Sequence, residues 1–173
     1  MKAELLRSKI CLYGITMQET NPEQLLEKVR AAAAGGMTML QIRQKQMPAE
    51  KLVALAAPVL EFCRQNGILC LINDQVEAAR MLSADGVHVG QNDMCIPQAR
   101  AILGSDAIIG TSVHSVEEAV QAQKDGADYI GCGAVFPTGT KTDATPLSME
   151  TLCSIRKAVT IPMVAIGGIT AEN

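Results

Sequence analysis

Ile68-Leu69-Cys70-Leu71-Ile72-Asn73-Asp74 is a short apolar run closed by an amide and a carboxylate. A run this brief and this uniformly apolar reads as a strand buried on both faces, which is what a parallel sheet requires. Asn73-Asp74 then marks its C-terminal end. The same pattern recurs in both directions, at 10–16, 37–42, 86–89, 107–111, 129–132 and 163–166, each run bounded by Gly, Asp or Pro. Helical periodicity fills the gaps, for example at 22–34, 49–65, 116–124 and 149–159. Pro22, Pro48 and Pro97 stand where helices begin, and Gly35, Gly67 and Gly126 where they end.

Strand and helix therefore alternate about seven times, the pattern of α/β architecture with right-handed crossovers. So long and regular an alternation favours a TIM-type (β/α)8 barrel over a doubly wound sheet. No G-x-G-x-x-G follows the first strand, which weakens a dinucleotide reading. The expectation is a single barrel domain over 1–173, C-terminally short, because the eighth strand and helix do not appear before Asn173. The open seam of unpaired strand edges this leaves invites association, a homo-oligomer among the forms it allows, or disorder.

Composition limits the function. The 173 residues are 48% hydrophobic and 19% charged, which favours a packed core over disorder. No apolar run approaches the ~20 residues that span a bilayer, and the first eight residues lack a signal-peptide core. The expectation is a cytoplasmic protein with no membrane partner. A net charge of −3 without a basic stripe argues against nucleic acid. The six cysteines include no Cys-x-x-Cys pair, so neither zinc nor a redox motif is indicated. Cys11, Cys70 and Cys132 lie in apolar runs and read as small core residues.

In a barrel, chemistry collects at the C-terminal ends of the strands. After the second strand, alternation puts Gln41, Arg43 and Lys45 on one side, two cations and an amide suited to a phosphate or diphosphate. Asp74 and Asp93 follow the third and fourth strands. Alone, Asp74 reads as a helix N-cap and Asp93 as a turn residue. Together, opposite a cationic strand end, they suit Mg2+ bridging a diphosphate. His88 points into the barrel or its rim and is not read as a ligand. Ser112 follows the fifth strand as a hydrogen-bond donor. Ser115 reads as an N-cap with Glu118 completing a capping box, and His114 is open between substrate contact and packing. The stretch 138–142, Thr-Gly-Thr-Lys-Thr, has no apolar residue and makes an anion cradle in a loop running to about Ser148. Gly167-Gly168 permits a phosphate to approach backbone amides.

These blocks resemble the thiamine-phosphate synthase family in order and spacing, from Leu12 to Asn173. They are Gln41-x-Arg43-x-Lys45, Asn73-Asp74, Ala84-Asp85-Gly86-Val87-His88-Val89-Gly90-Gln91-x-Asp93, Gly110-x-Ser112-x-His114, Pro137-Thr138-x-Thr140-Lys141 and Ile166-Gly167-Gly168-Ile169. The resemblance implies a transferase of thiamine biosynthesis. It would couple a pyrimidine diphosphate to a thiazole phosphate with loss of pyrophosphate. Gln41, Arg43, Lys45, Asn73, Ser112 and Lys141 would hold the pyrimidine diphosphate, with Arg43, Ser112 and Lys141 nearest the chemistry. Thr138, Gly139, Thr140 and Gly168 would hold the thiazole phosphate, and Asp74 and Asp93 the Mg2+. Two other readings compete. One is a thiazole tautomerase-like barrel, matched by Ser112-Val113-His114-Ser115. The other is a truncated, non-catalytic barrel that binds phosphate.

Overall fold

A computed structural model describes residues 2–138, 146–170 and 172–173. They form seven parallel strands and seven helices in alternation. The order is α1 (Lys2–Lys9), β1 (Tyr13–Ile15), α2 (Pro22–Ala34), β2 (Met39–Ile42), α3 (Ala49–Gln65), β3 (Leu69–Asn73), α4 (Val76–Leu82) and β4 (Gly86–Val89). It continues with α5 (Ile96–Leu103), β5 (Ile108–Val113), α6 (Val116–Lys124), β6 (Tyr129–Cys132), α7 (Met149–Ala158) and β7 (Met163–Ala165). Strand order in the sheet is sequence order, β1 to β7. That is the order of a TIM-type barrel, here with seven of its eight strands; a doubly wound sheet would reverse at a switch point. Among the described residues no helix is long and apolar enough to cross a membrane.

The chain divides into two compact units, one of Met1–His88 with Gln98–Ile108, the other of Val89–Pro97 with Ile109–Asn173. In the first, β1 to β4 pair in parallel, with Leu40 beside Cys70 and Ile72 beside Val87. Every residue of β2 is buried, Gln41 included. In the second, β5, β6 and β7 pair through Gly110–Tyr129 and Ile130–Met163.

Local signals explain most element ends. Asn21 caps α2 through bonds from the amides of Glu23 and Gln24 to its Oδ1, with Pro22 in the first turn. The left-handed residues after α2, α3 and α6 are Gly36, Gly67 and Gly126, at φ 93°, 63° and 88°. The expected Gly35 keeps a φ of −78°, so the reversal falls one residue later.

Two aspartates repeat one device. Asp85 Oδ2 accepts from Cys70 N–H at 2.7 Å, and Asp128 Oδ2 accepts from Ile109 N–H at 2.8 Å. Each aspartate's own amide returns a bond to the same residue, Cys70 O or Ile109 O. Both follow an alanine and immediately precede a strand, so the Ala-Asp pairs at 84–85 and 127–128 are strand starters. Such charge-assisted bonds are worth about 1.5–3 kcal/mol each.

One expectation fails at the N-terminus. Cys11 is exposed, not core, because residues 10–12 form a turn after α1 and β1 begins only at Tyr13. Cys63 of α3 is buried instead, beside the expected Cys70 and Cys132.

Candidate active site

At the end of β2 the alternation continues past the strand. Ile42 and Gln44 are buried, Arg43 is half-buried and Lys45 is exposed. The β1–α2 loop fixes this extension. Arg43 N–H donates to Thr16 Oγ1 at 2.9 Å, and Gln18 Nε2 donates to Lys45 O at 2.9 Å. Gln44 Oε1 accepts from Glu19 N–H at 3.0 Å while its Nε2 donates to Met17 O. Among the described residues neither Arg43 nor Lys45 has a carboxylate partner. Two cations with pinned main chains and no internal counter-ion are suited to an external anion. Gln41 is 2% exposed and its Nε2 donates to the Tyr13 hydroxyl at 2.7 Å, so part of its donor capacity is spent inside the protein.

Asn73 closes β3 beside His88, and Asp74 opens the next turn. Asp74 has a φ of 61°, a left-handed conformation that Asp and Asn tolerate best among side-chain-bearing residues. Its amide donates to His88 O at 2.8 Å. It is not the helix N-cap that its position suggested, because Gln75 occupies that place. His88 is 8% exposed, in keeping with a wall residue.

In the second unit, the turn after β4 carries Asp93. Its Oδ2 accepts from Gly90 N–H at 2.8 Å, which is the turn role expected of it and also fixes the carboxylate. Ser112 lies within β5, half-buried, rather than in the following loop. The capping box at α6 forms with a shift. Ser115 Oγ accepts from Glu118 N–H, but Glu118 Oε2 reaches His114 N–H at 2.7 Å and the His114 ring at 3.3 Å. His114 is thus engaged in capping.

The loops after β6 and β7 are zipped together. Val135 N–H donates to Ile166 O at 3.0 Å and Phe136 N–H to Gly167 O at 2.9 Å. Gly168 has a φ of 61°, and a Cβ there would stand 2.5 Å from Pro137 O and 2.8 Å from Phe136 Cβ. Only glycine fits where these backbones meet, next to the half-buried Thr138. Gly139, Thr140 and Lys141 lie outside the described residues.

A cavity of about 430 Å³ is lined by the Asp93 turn, Asp93 included, by Glu117 and Glu118 of α6 and by Asp125, which caps that helix. Cys132, at the end of β6, is buried and its thiol is pushed up to about 11, so it offers no nucleophile. The supporting residues Thr16, Gln18 and Gln44 were not singled out in the sequence; only the polar residue between Arg43 and Lys45 hinted at them.

The family model described as thiamine monophosphate synthase matches residues 12–173. The thiamine-phosphate synthase of Moorella thermoacetica is 47% identical over 86% of this chain and 71% of its own length. That of Ruminiclostridium cellulolyticum is 45% identical over 97% of this chain and 81% of its own. The solved structure of thiamine phosphate pyrophosphorylase from Pyrococcus furiosus superposes with a TM-score of 0.85 at 41% identity, covering 97% of this chain and 80% of that one.

Proposed function

The chain belongs to the thiamine monophosphate synthase family, and from that premise we propose how its residues make thiamine phosphate. The reaction joins an aminopyrimidine bearing a methylene diphosphate to a thiazole phosphate. The methylene C–O bond breaks and its electron pair leaves with pyrophosphate. The electron-rich aminopyrimidine stabilises the cation, and the thiazole nitrogen lone pair forms the new C–N bond. No protein nucleophile is required.

Arg43 and Lys45, with Lys141, hold the diphosphate and offset the charge that builds on it. Gln41 and Asn73 complete the diphosphate and pyrimidine contacts, and Ser112 contacts the pyrimidine. Thr138, Gly139, Thr140 and Gly168 seat the thiazole phosphate. Mg2+ fits this donor set. Asp74 and Asp93 are hard oxygen ligands, and Asp93 is held still by Gly90 N–H. Among the described residues no three His, Cys, Asp or Glu side chains gather as a metal cage. Mg2+ commonly takes one or two carboxylates and completes its shell with water and substrate phosphate. When bound, it would supply charge neutralisation on the leaving diphosphate. The working compartment is the cytoplasm, where unpaired cysteines stay reduced.

The observation that carries this reading is the pair Arg43 and Lys45, main chains pinned by Thr16 and Gln18, without a carboxylate partner among the described residues. The test is formation of thiamine phosphate from the two substrates with Mg2+ and with EDTA. Mg2+-dependent product supports the reading. Folded protein that yields no product with Mg2+ overturns it.

A further inference from the structure

The turn that carries Asp93 is fastened to β5 by two side chains. The buried Thr111 hydroxyl donates to Val89 O at 3.0 Å, at the start of the turn. Gln91, within the turn, donates from Nε2 to Ser112 O at 2.7 Å. Thr111 and Ser112 are consecutive, so both fastenings meet β5 at one place. Asp93 closes the turn itself, through Gly90 N–H to its Oδ2 at 2.8 Å and its own N–H to Gly90 O at 3.3 Å.

Gln91 is exposed. It buries little apolar surface, and a neutral hydrogen bond at the surface adds little to folding. What its bond does is geometric. It ties the turn of one proposed Mg2+ ligand to the main chain of a proposed pyrimidine contact. Outer residues of this kind set ligand orientation, and their loss lowers metal affinity without removing a ligand.

We propose that Gln91 is a positioning residue that keeps Asp93 and Ser112 in register, so that Mg2+ binding and pyrimidine binding are mutually dependent. This rests on the roles given above to Asp93 and Ser112. The test compares the full chain with Gln91→Leu, Gln91→Glu and Asp93→Asn in steady-state kinetics, titrating Mg2+ and each substrate. Gln91→Leu is expected to raise the Mg2+ concentration for half-maximal rate about 10-fold. It should raise KM for the pyrimidine diphosphate in parallel, with kcat at saturation and KM for the thiazole phosphate nearly unchanged. The thermal midpoint should stay within about 2 °C of the parent. Gln91→Glu, equal in size but lacking the donor, should behave the same way. Unchanged Mg2+ and pyrimidine dependence in both variants overturns the proposal. So does a loss of kcat with a lowered melting point, which would mark a merely structural role. Asp93→Asn with an unaltered Mg2+ requirement would overturn the metal reading itself, and the proposal with it, whatever the Gln91 variants do.

Discussion

Gly110 and Tyr129 face each other across β5 and β6, and the tyrosine ring fills the space a side chain at 110 would need. A Cβ on Gly110 would lie 2.0 Å from Tyr129 Cζ, and Tyr129 is fully buried. The ring cannot swing away, since β6 is buried along its length. Gly110→Ala should therefore destabilise by about 3 kcal/mol or more, the upper range for overpacking. Urea unfolding measures it; a midpoint equal to the parent's would refute the packing relationship.

Gly168→Ala tests the thiazole side. Alanine would have to hold a left-handed φ of 61° and displace Pro137 O and Phe136. The conformation alone costs about 1–2 kcal/mol. The displacement should raise KM for the thiazole phosphate about 10- to 100-fold while leaving KM for the pyrimidine diphosphate near its parent value. Equal effects on both substrates would argue that Gly168 serves the fold rather than that phosphate.

Asp74 allows charge and backbone to be separated. Asn accepts the left-handed φ of 61°, whereas Ala does not. Asp74→Asn should cut kcat/KM at fixed Mg2+ by at least about 100-fold. Asp74→Ala should lose as much activity and a further ~1 kcal/mol of stability. Full activity in Asp74→Asn would remove Asp74 from the metal site.

Glu19 links stability to pH. Hydrogen bonding to Lys28 at 2.6 Å, with the amides of Asn21 and Thr20, lowers its pKa from an ordinary 4.5 to about 2. A carboxylate with a depressed folded pKa favours folding above the unfolded pKa, and that favour is lost as pH falls through the folded one. The difference in thermal midpoint between the parent and Glu19→Gln should be greatest above pH 4.5 and shrink towards pH 2. A difference that does not change over this range would exclude the linkage.

The cysteines should divide by burial. Cys11, Cys95 and Cys153 are exposed, whereas Cys63, Cys70 and Cys132 are buried, with burial pushing the Cys132 thiol up to about 11. A disulfide thiol reagent at neutral pH should modify three groups quickly in the native protein, and the other three only on unfolding. Fast reaction of all six would contradict the core described here.

The sequence alone determined what depends on near neighbours. Apolar runs placed β4 and β6 at their true bounds, and helical period with Pro and Ser signals did the same for α2, α3 and α6. It did not reveal α1, whose one buried side chain among the described residues is Leu6, set among charged residues, so that it lacks a readable stripe. The motif residues Arg43, Asp74, Asp93, Ser112 and Gly168 could be named because strand ends follow from strand bounds. Tertiary structure alone decided how those ends are held. Gln44 bonds to Glu19 N–H, Gln91 to Ser112 O and Asp85 to Cys70 N–H, partners 25, 21 and 15 residues away. Strand register and the path of the connecting loops choose such partners. A local pattern carries no information about either, because a polar side chain has the same propensity whichever distant main-chain group it finally meets.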